Sequence, residues 1–207
     1  MAWEPPVTDT SVRADGRVAR REKNVNAVLD VVLEMFAEDS MFPSIEQAAT
    51  RSGLSLRSVY RYFADPGELL EAAIKRSREL GAYFMRIPSI GEGELEDRID
   101  EFVAARLQFH ESAGPMYRAT LANAARLPQI GDELRATRDE LRHQFEVQFA
   151  PELAPLSHTR RDAAVCAGDV LTQLDSVDFL RRHRQLSASE AGEVLRAALA
   201  AILTTAS

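Results

Sequence analysis

Between Ser52 and Phe63 the chain reads SGLSLRSVYRYF, with two arginines, two tyrosines and three serines and no acidic residue. Guanidinium groups make charge-assisted hydrogen bonds to phosphate and match the paired acceptors on a guanine edge. Serine and tyrosine hydroxyls donate to phosphate oxygens, which sets register rather than sequence. Arg57 and Arg61 are therefore candidates for base reading, and Ser58, Tyr60 and Tyr62 for backbone contacts. The chemistry this points to is recognition of a polyanion, with no bond made or broken.

Residues suited to catalysis are sparse by comparison. His110, His143, His158 and His183 are at least 15 residues apart, so no His-x3-His metal pair exists. The glycine-rich phosphate loop and the Gly-x-Ser-x-Gly elbow are missing. No metal site or cofactor is expected. An enzyme whose site is assembled only in space stays open as an alternative, as does a helical protein-interaction adaptor with a non-functional helix-turn-helix. Cys166 is the single cysteine and cannot pair within the chain, which fits a reducing cytoplasm. Its neighbours Ala163, Ala164, Val165 and Ala167 suggest a buried, inert helical thiol.

The net charge of −7 argues against a general coat for nucleic acid, but the charge is segregated. Arg13–Lys23 holds five basic residues and two acidic ones, and Arg51–Arg61 holds three basic residues and none acidic. Carboxylates gather elsewhere, as in Glu92, Glu94, Glu96, Asp97, Asp100 and Glu101. Those at the start of a helix complement its dipole. The longest apolar run, Ala197–Leu203, has seven residues against the roughly 20 a bilayer span needs. Residues 1–10 lack an apolar signal core, so a cytoplasmic chain with no membrane partner is expected.

The elements that would position the basic stretch read as helices, and the fold class expected is all-α. Val28, Leu29, Val32 and Phe36 share one helical face. Residues 1–19 lack that period and are expected to form a flexible basic arm carrying Arg17 ahead of Arg20 and Arg21. Ser44 with Gln47 is a capping box, so a helix opens at Ile45 and stops at Gly53. Ser55 caps a short helix from Leu56 to about Phe63. Asp65, Pro66 and Glu68 start another, reaching about Met85, whose N-terminal amides could face a phosphate.

Two short helices about a glycine turn are a helix-turn-helix, spanning about 44–63. Ala49, Leu54 and Val59 fix its angle, leaving Leu56, Arg57, Ser58, Arg61 and Tyr62 outward. A generic helical hairpin shares the Ala-x3-Gly spacing. The caps and the charge segregation favour the DNA-reading form.

Residues from about Arg20 to Leu80 resemble the DNA-binding domain of TetR-type transcriptional regulators. The resemblance rests on Ser44-Ile45-Glu46-Gln47-Ala48-Ala49, Ser52-Gly53-Leu54-Ser55, Ser58-Val59-Tyr60-Arg61-Tyr62-Phe63 and Leu69-Leu70. It implies an all-helical homodimer with a three-helix DNA-binding domain (20–80) and a larger C-terminal effector-binding and dimerisation domain (81–207). By the same resemblance, Tyr60 takes the place of a phosphate-contacting tyrosine. Tyr62 stands where histidine is common, and Leu56–Ser58 lie on the base-reading face with Ser44 and Ser55 beside them. Pro66 stands where the family usually has a lysine, so one phosphate contact per half-site is lost or left to amides. The implied partners are a palindromic double-stranded operator and a small-molecule effector, with repression the expected mode.

Past Pro88–Gly93, helices are expected at about 94–112, 115–126, 132–149, 159–184 and 188–204, the last opened by a Ser187–Glu190 box. Val170, Leu171, Leu174 and Val177, with Leu195, Ala198 and Ile202, are candidates for a dimer interface, or else complete the core of one chain. Arg181–Arg184 reads as a solvated helix end. Effector candidates are Phe102, Arg106, Phe109, His110, Met116, Tyr117, Asn123 and Gln173, each of which also suits an ordinary core or surface role.

Overall fold

The computed structural model describes residues 10–39 and 41–204, and every regular element among them is helical. No helix in this range is long and apolar enough to cross a membrane. The first helix, α1, runs Thr10–Asp39. It begins ten residues before the expected start, because periodicity reports which face is buried and not whether a segment is helical. Arg, Ala, Glu and Lys, which dominate residues 13–23, are good helix formers whether or not a neighbour packs on them. The rest of the expected arm, residues 1–9, and the Arg17 side chain lie outside the described residues.

α2 (Ile45–Ser52), α3 (Leu56–Tyr62) and α4 (Pro66–Phe84) follow, each opened by a side-chain cap. At α2 the box is complete: Gln47 N–H donates to Ser44 Oγ at 3.2 Å, and Ser44 N–H donates to Gln47 Oε1 at 2.8 Å. Gly53 ends α2 at φ +71°, the left-handed conformation that glycine adopts without a Cβ penalty. Val28, Leu29 and Val32 of α1 meet Ile45, Ala48 and Ala49 of α2, Val59 of α3 and Leu69 of α4 in one apolar core. Leu54 packs against it at the turn, as the sequence implies.

The C-terminal region contains α5 (Leu95–Asn123), α6 (Pro128–Gln148), α7 (Ala150–Leu153), α8 (His158–Thr172), α9 (Leu174–Asp178) and α10 (Ala188–Thr204). A π-helical turn at Phe179–His183 follows α9. The helices expected at 94–112 and 115–126 are one helix through Pro115. Proline removes the bond to the carbonyl four residues back. Here that carbonyl belongs to Glu111, and both Glu111 and Pro115 are on the exposed side, where water can replace the bond. Phe109 and Tyr117 on either side are buried, so packing outweighs the local penalty.

The helix expected over 159–184 is instead broken at Gln173, whose ψ of 152° is extended. The break turns Leu174 and Val177 fully inward. Helix α10 opens with the expected box, Glu190 N–H to Ser187 Oγ at 3.2 Å and Ser187 N–H to Glu190 Oε2 at 2.7 Å.

The C-terminal core centres on Phe102, Phe145 and Phe149, whose ring centroids lie 5.0–5.9 Å apart in tilted and edge-on contacts. Gly168 of α8 lies directly over Phe145: a Cβ there would sit 2.0 Å from the ring. Cys166, two residues earlier, is exposed rather than buried. Ala164 and Val165 take the inward positions of that turn, and Arg142 Nη1 lies 3.9 Å from the sulfur. A smaller cluster joins the two regions, with Phe36 of α1 and Leu70 of α4 against Ala119 of α5 and Ile130 of α6.

Candidate nucleic-acid interface

Helix α3 has a single buried side chain, Val59, which is fully covered. This anchor fixes the rotation of the helix, and Leu56, Arg57, Tyr60 and Arg61 emerge together on the opposite face, all exposed. The start of α3 is held by Ser55, which accepts the Ser58 N–H at 3.2 Å and shares a 2.8 Å hydroxyl contact with Ser58. Ser58 is half-buried, so it belongs to the cap more than to the open face. Ser44 and Ser55 are exposed caps. Each accepts a backbone N–H, and the Ser44 hydroxyl also bonds to the Glu46 carboxylate.

Tyr62 is not on that face. It packs half-buried against the core, and its hydroxyl accepts from Asn24 Nδ2 at 3.2 Å and from Arg61 at 3.4 Å. These donors, Asn24 first, hold its hydroxyl below the ordinary phenol range. The expectation that Tyr62 stands outward is corrected: positions 59, 62 and 63 form the inner side of this short helix. Asn24 ties α3 to α1, on which Arg20 and Arg21 are exposed.

Tyr60 carries a relationship that the spacing of the sequence did not indicate. Its hydroxyl donates to Glu46 Oε1 at 3.0 Å, joining α3 to the first turn of α2. The Glu46 carboxyl is held below its ordinary range, first by a backbone hydrogen bond and then by Ser44 and Tyr60, while Tyr60 is pushed upward by Glu46. Arg51 turns away and pairs with Glu38 of α1 at 3.0 Å.

α4 starts at Asp65 and Pro66 as expected, but its first amides are not left free for a phosphate. Asp65 Oδ1 accepts the Glu68 N–H at 3.0 Å, and Glu68 Oε2 accepts the Ala64 N–H at 2.7 Å. Two carboxylates stand where free amides were expected to meet a phosphate.

A cavity of about 550 Å³ opens between α1, α4, α5 and α6. Of the effector candidates, Phe109, Met116 and Tyr117 line it. The other five do not. Phe102 and Arg106 are fully buried in the C-terminal core, with the guanidinium stacked on the ring 4.2 Å from its centroid. Arg106 donates to Gln144 Oε1 and Leu141 O, and burial pulls its pKa down to about 9. His110 faces Asp178 at 3.1 Å, Asn123 donates to Ala119 O, and Gln173 bonds to Asp169. One wall, supplied by α1, is absent from those candidates, although Asp30, Leu33, Glu34 and Ala37 follow the i, i+3, i+4, i+7 spacing of one helical face.

The dimer candidates divide in the same way. Leu174, Val177 and Leu195 are buried in the chain's own core and cannot serve a partner, while Leu171, Ala198 and Ile202 are half-buried. Val170 of α8 and Val194 of α10 are exposed large apolar residues. Ala163, Cys166 and Ala167 lie on the same side of α8 as Val170, and Ala197 lies one turn beyond Val194.

No protein-family model matches the sequence, and no curated protein matches it significantly. Solved structures do match in shape. A TetR-family transcriptional regulator from Streptomyces coelicolor superposes with a TM-score of 0.69 at 20% identity, over 89% of this chain and 82% of that one. A Rhodococcus sp. chain assigned to the same family gives 0.66 at 17% identity, over 87% and 99%. Salmonella enterica GusR gives 0.57 at 18% identity, over 88% and 96%. The helix-turn-helix at the N-terminus and the helical layers behind it thus give this chain the fold of the TetR-family transcriptional regulators.

Proposed function

We propose that the protein is a sequence-specific DNA-binding transcriptional regulator that acts as a homodimer and represses until a small molecule releases it. The observation that carries this reading is the outward face of α3. Leu56, Arg57, Tyr60 and Arg61 are presented together by a capped helix whose rotation is fixed by Val59. A helix of that width enters the major groove, where its N-terminal residues reach base edges.

One such helix reads a few base pairs, so a twofold pair with half-sites about 34–36 Å apart supplies the rest. Ala163, Cys166, Ala167 and Val170 of α8, with Val194 and Ala197 of α10, are the surface offered to the second chain. Pro66 supplies no cation, so the affinity falls less steeply with salt than it would with one more phosphate contact.

Release needs two states that differ in effector affinity. The 550 Å³ cavity suits an effector, because α4 lines it and also closes the core beneath α3. Footprinting on the DNA upstream of the protein's own gene tests the reading. A protected inverted repeat is expected, with a mobility-shifted complex that weakens steeply between two salt concentrations. Weak binding that is the same on every duplex would overturn it.

A further inference from the structure

The cavity walls carry five charged side chains, and four of them are already matched. Arg76 Nε contacts Asp30 Oδ1 at 3.0 Å, which closes α4 onto α1. Arg78 pairs through two nitrogens with Glu133, which closes α4 onto α6. These pairs cancel in charge, and Glu34 of α1 is left as an exposed carboxylate with no cation beside it among the described residues.

The interior is apolar and soft, with Phe84, Phe109 and Tyr117 rings beside the Met85 and Met116 thioethers. Ring faces are negative and attract organic cations, more strongly where water is excluded. An anion entering here would meet the unmatched carboxylate beside those rings. A cation meets neither penalty. The volume lies in the range that encloses most of a drug-sized molecule.

We propose that the cleft binds a lipophilic organic cation, with its apolar body between Phe84, Phe109 and Met116 and its charged centre toward Glu34. The proposal rests on the effector reading given above and makes it specific. Because Glu34 and Ala37 belong to α1, the ligand touches the DNA-binding region itself and not only the C-terminal helices. Filling the cleft then works directly against the α1–α4 contact closed by Arg76 and Asp30.

The test is fluorescence titration of the full chain without DNA, using rhodamine 6G as cation, N-phenyl-1-naphthylamine as neutral probe and 1-anilinonaphthalene-8-sulfonate as anion. The cation is expected to bind at least about tenfold more tightly than the anion. Glu34→Gln is expected to weaken the cation about fivefold, the reach of one exposed ion pair, and to leave the neutral probe unchanged. Gly81→Phe should block all three: Gly81 lines the cleft in the last turn of α4, and a Cβ there meets nothing within 4 Å. Equal affinity for cation and anion, or an unaltered Glu34→Gln or Gly81→Phe titration, would overturn the ligand class. A cation that binds through Glu34 yet leaves operator binding unchanged would uphold the site and overturn effector release instead.

Discussion

Tyr60 of α3 donates its hydroxyl to Glu46 of α2 at 3.0 Å, so a carboxylate is tied to the exposed face that carries Arg57 and Arg61. The bond orients the ring, but it also engages the donor that a phosphate would take. Both groups are exposed, so the contact exchanges readily with water.

Removing the carboxylate should therefore strengthen DNA binding. Glu46→Gln is expected to raise affinity for operator and random duplex alike, by about three- to tenfold, because repulsion from phosphates is independent of sequence. Tyr60→Phe should lower both. Mobility-shift titrations at fixed salt measure each, and a loss of affinity in Glu46→Gln would mean that the carboxylate positions Tyr60 for DNA.

Arg57 is exposed at the first turn of α3, where side chains reach base edges. Arg57→Ala should cost about 1–3 kcal/mol on the operator and less on random DNA, the signature of a bidentate base contact. Equal losses on both duplexes would reassign it to the phosphate backbone.

Gly168 has no space for a methyl group, since the Phe145 ring occupies the position of its Cβ. Gly168→Ala must push α8 from α6 or turn a fully buried ring, and an overpacked core of this kind costs about 1–3 kcal/mol. The gain in helix propensity, about 1 kcal/mol, offsets only part of it. A lower urea midpoint with an unchanged slope is the expected result.

Asp178 is a source of acid sensitivity. Burial alone would raise its pKa, but hydrogen bonds from His110 and Arg118, helped by the charges of Arg118 and Arg182, hold it below its ordinary 3.8. A carboxyl with a depressed folded-state pKa stabilises the fold above the unfolded value, and that contribution is lost as pH falls through the folded one. Asp178→Asn should thus be less stable than the parent at pH 7, by about 1 kcal/mol or less for a partly exposed pair, with the difference shrinking toward pH 3. Urea midpoints at the two pH values check the sign.

What the sequence alone determined was whatever closes within a few residues. The caps at Ser44, Ser55, Asp65 and Ser187 and the left-handed stop at Gly53 each involve partners at most four positions away, so residue type and spacing specify them. The buried face of α1 was legible for the same reason, because its period is a property of one helix. Tertiary structure alone decided that α5 continues through Pro115, where packing outweighs a local penalty, and that the chain breaks at Gln173, where no glycine or proline marks the turn. It also decided that Tyr62 faces Asn24, that Cys166 faces outward, and that the α1 face from Asp30 to Ala37 completes a cavity with helices reaching as far as Thr137. Those contacts join groups tens of residues apart, and their positions depend on how whole helices cross, which no local pattern records.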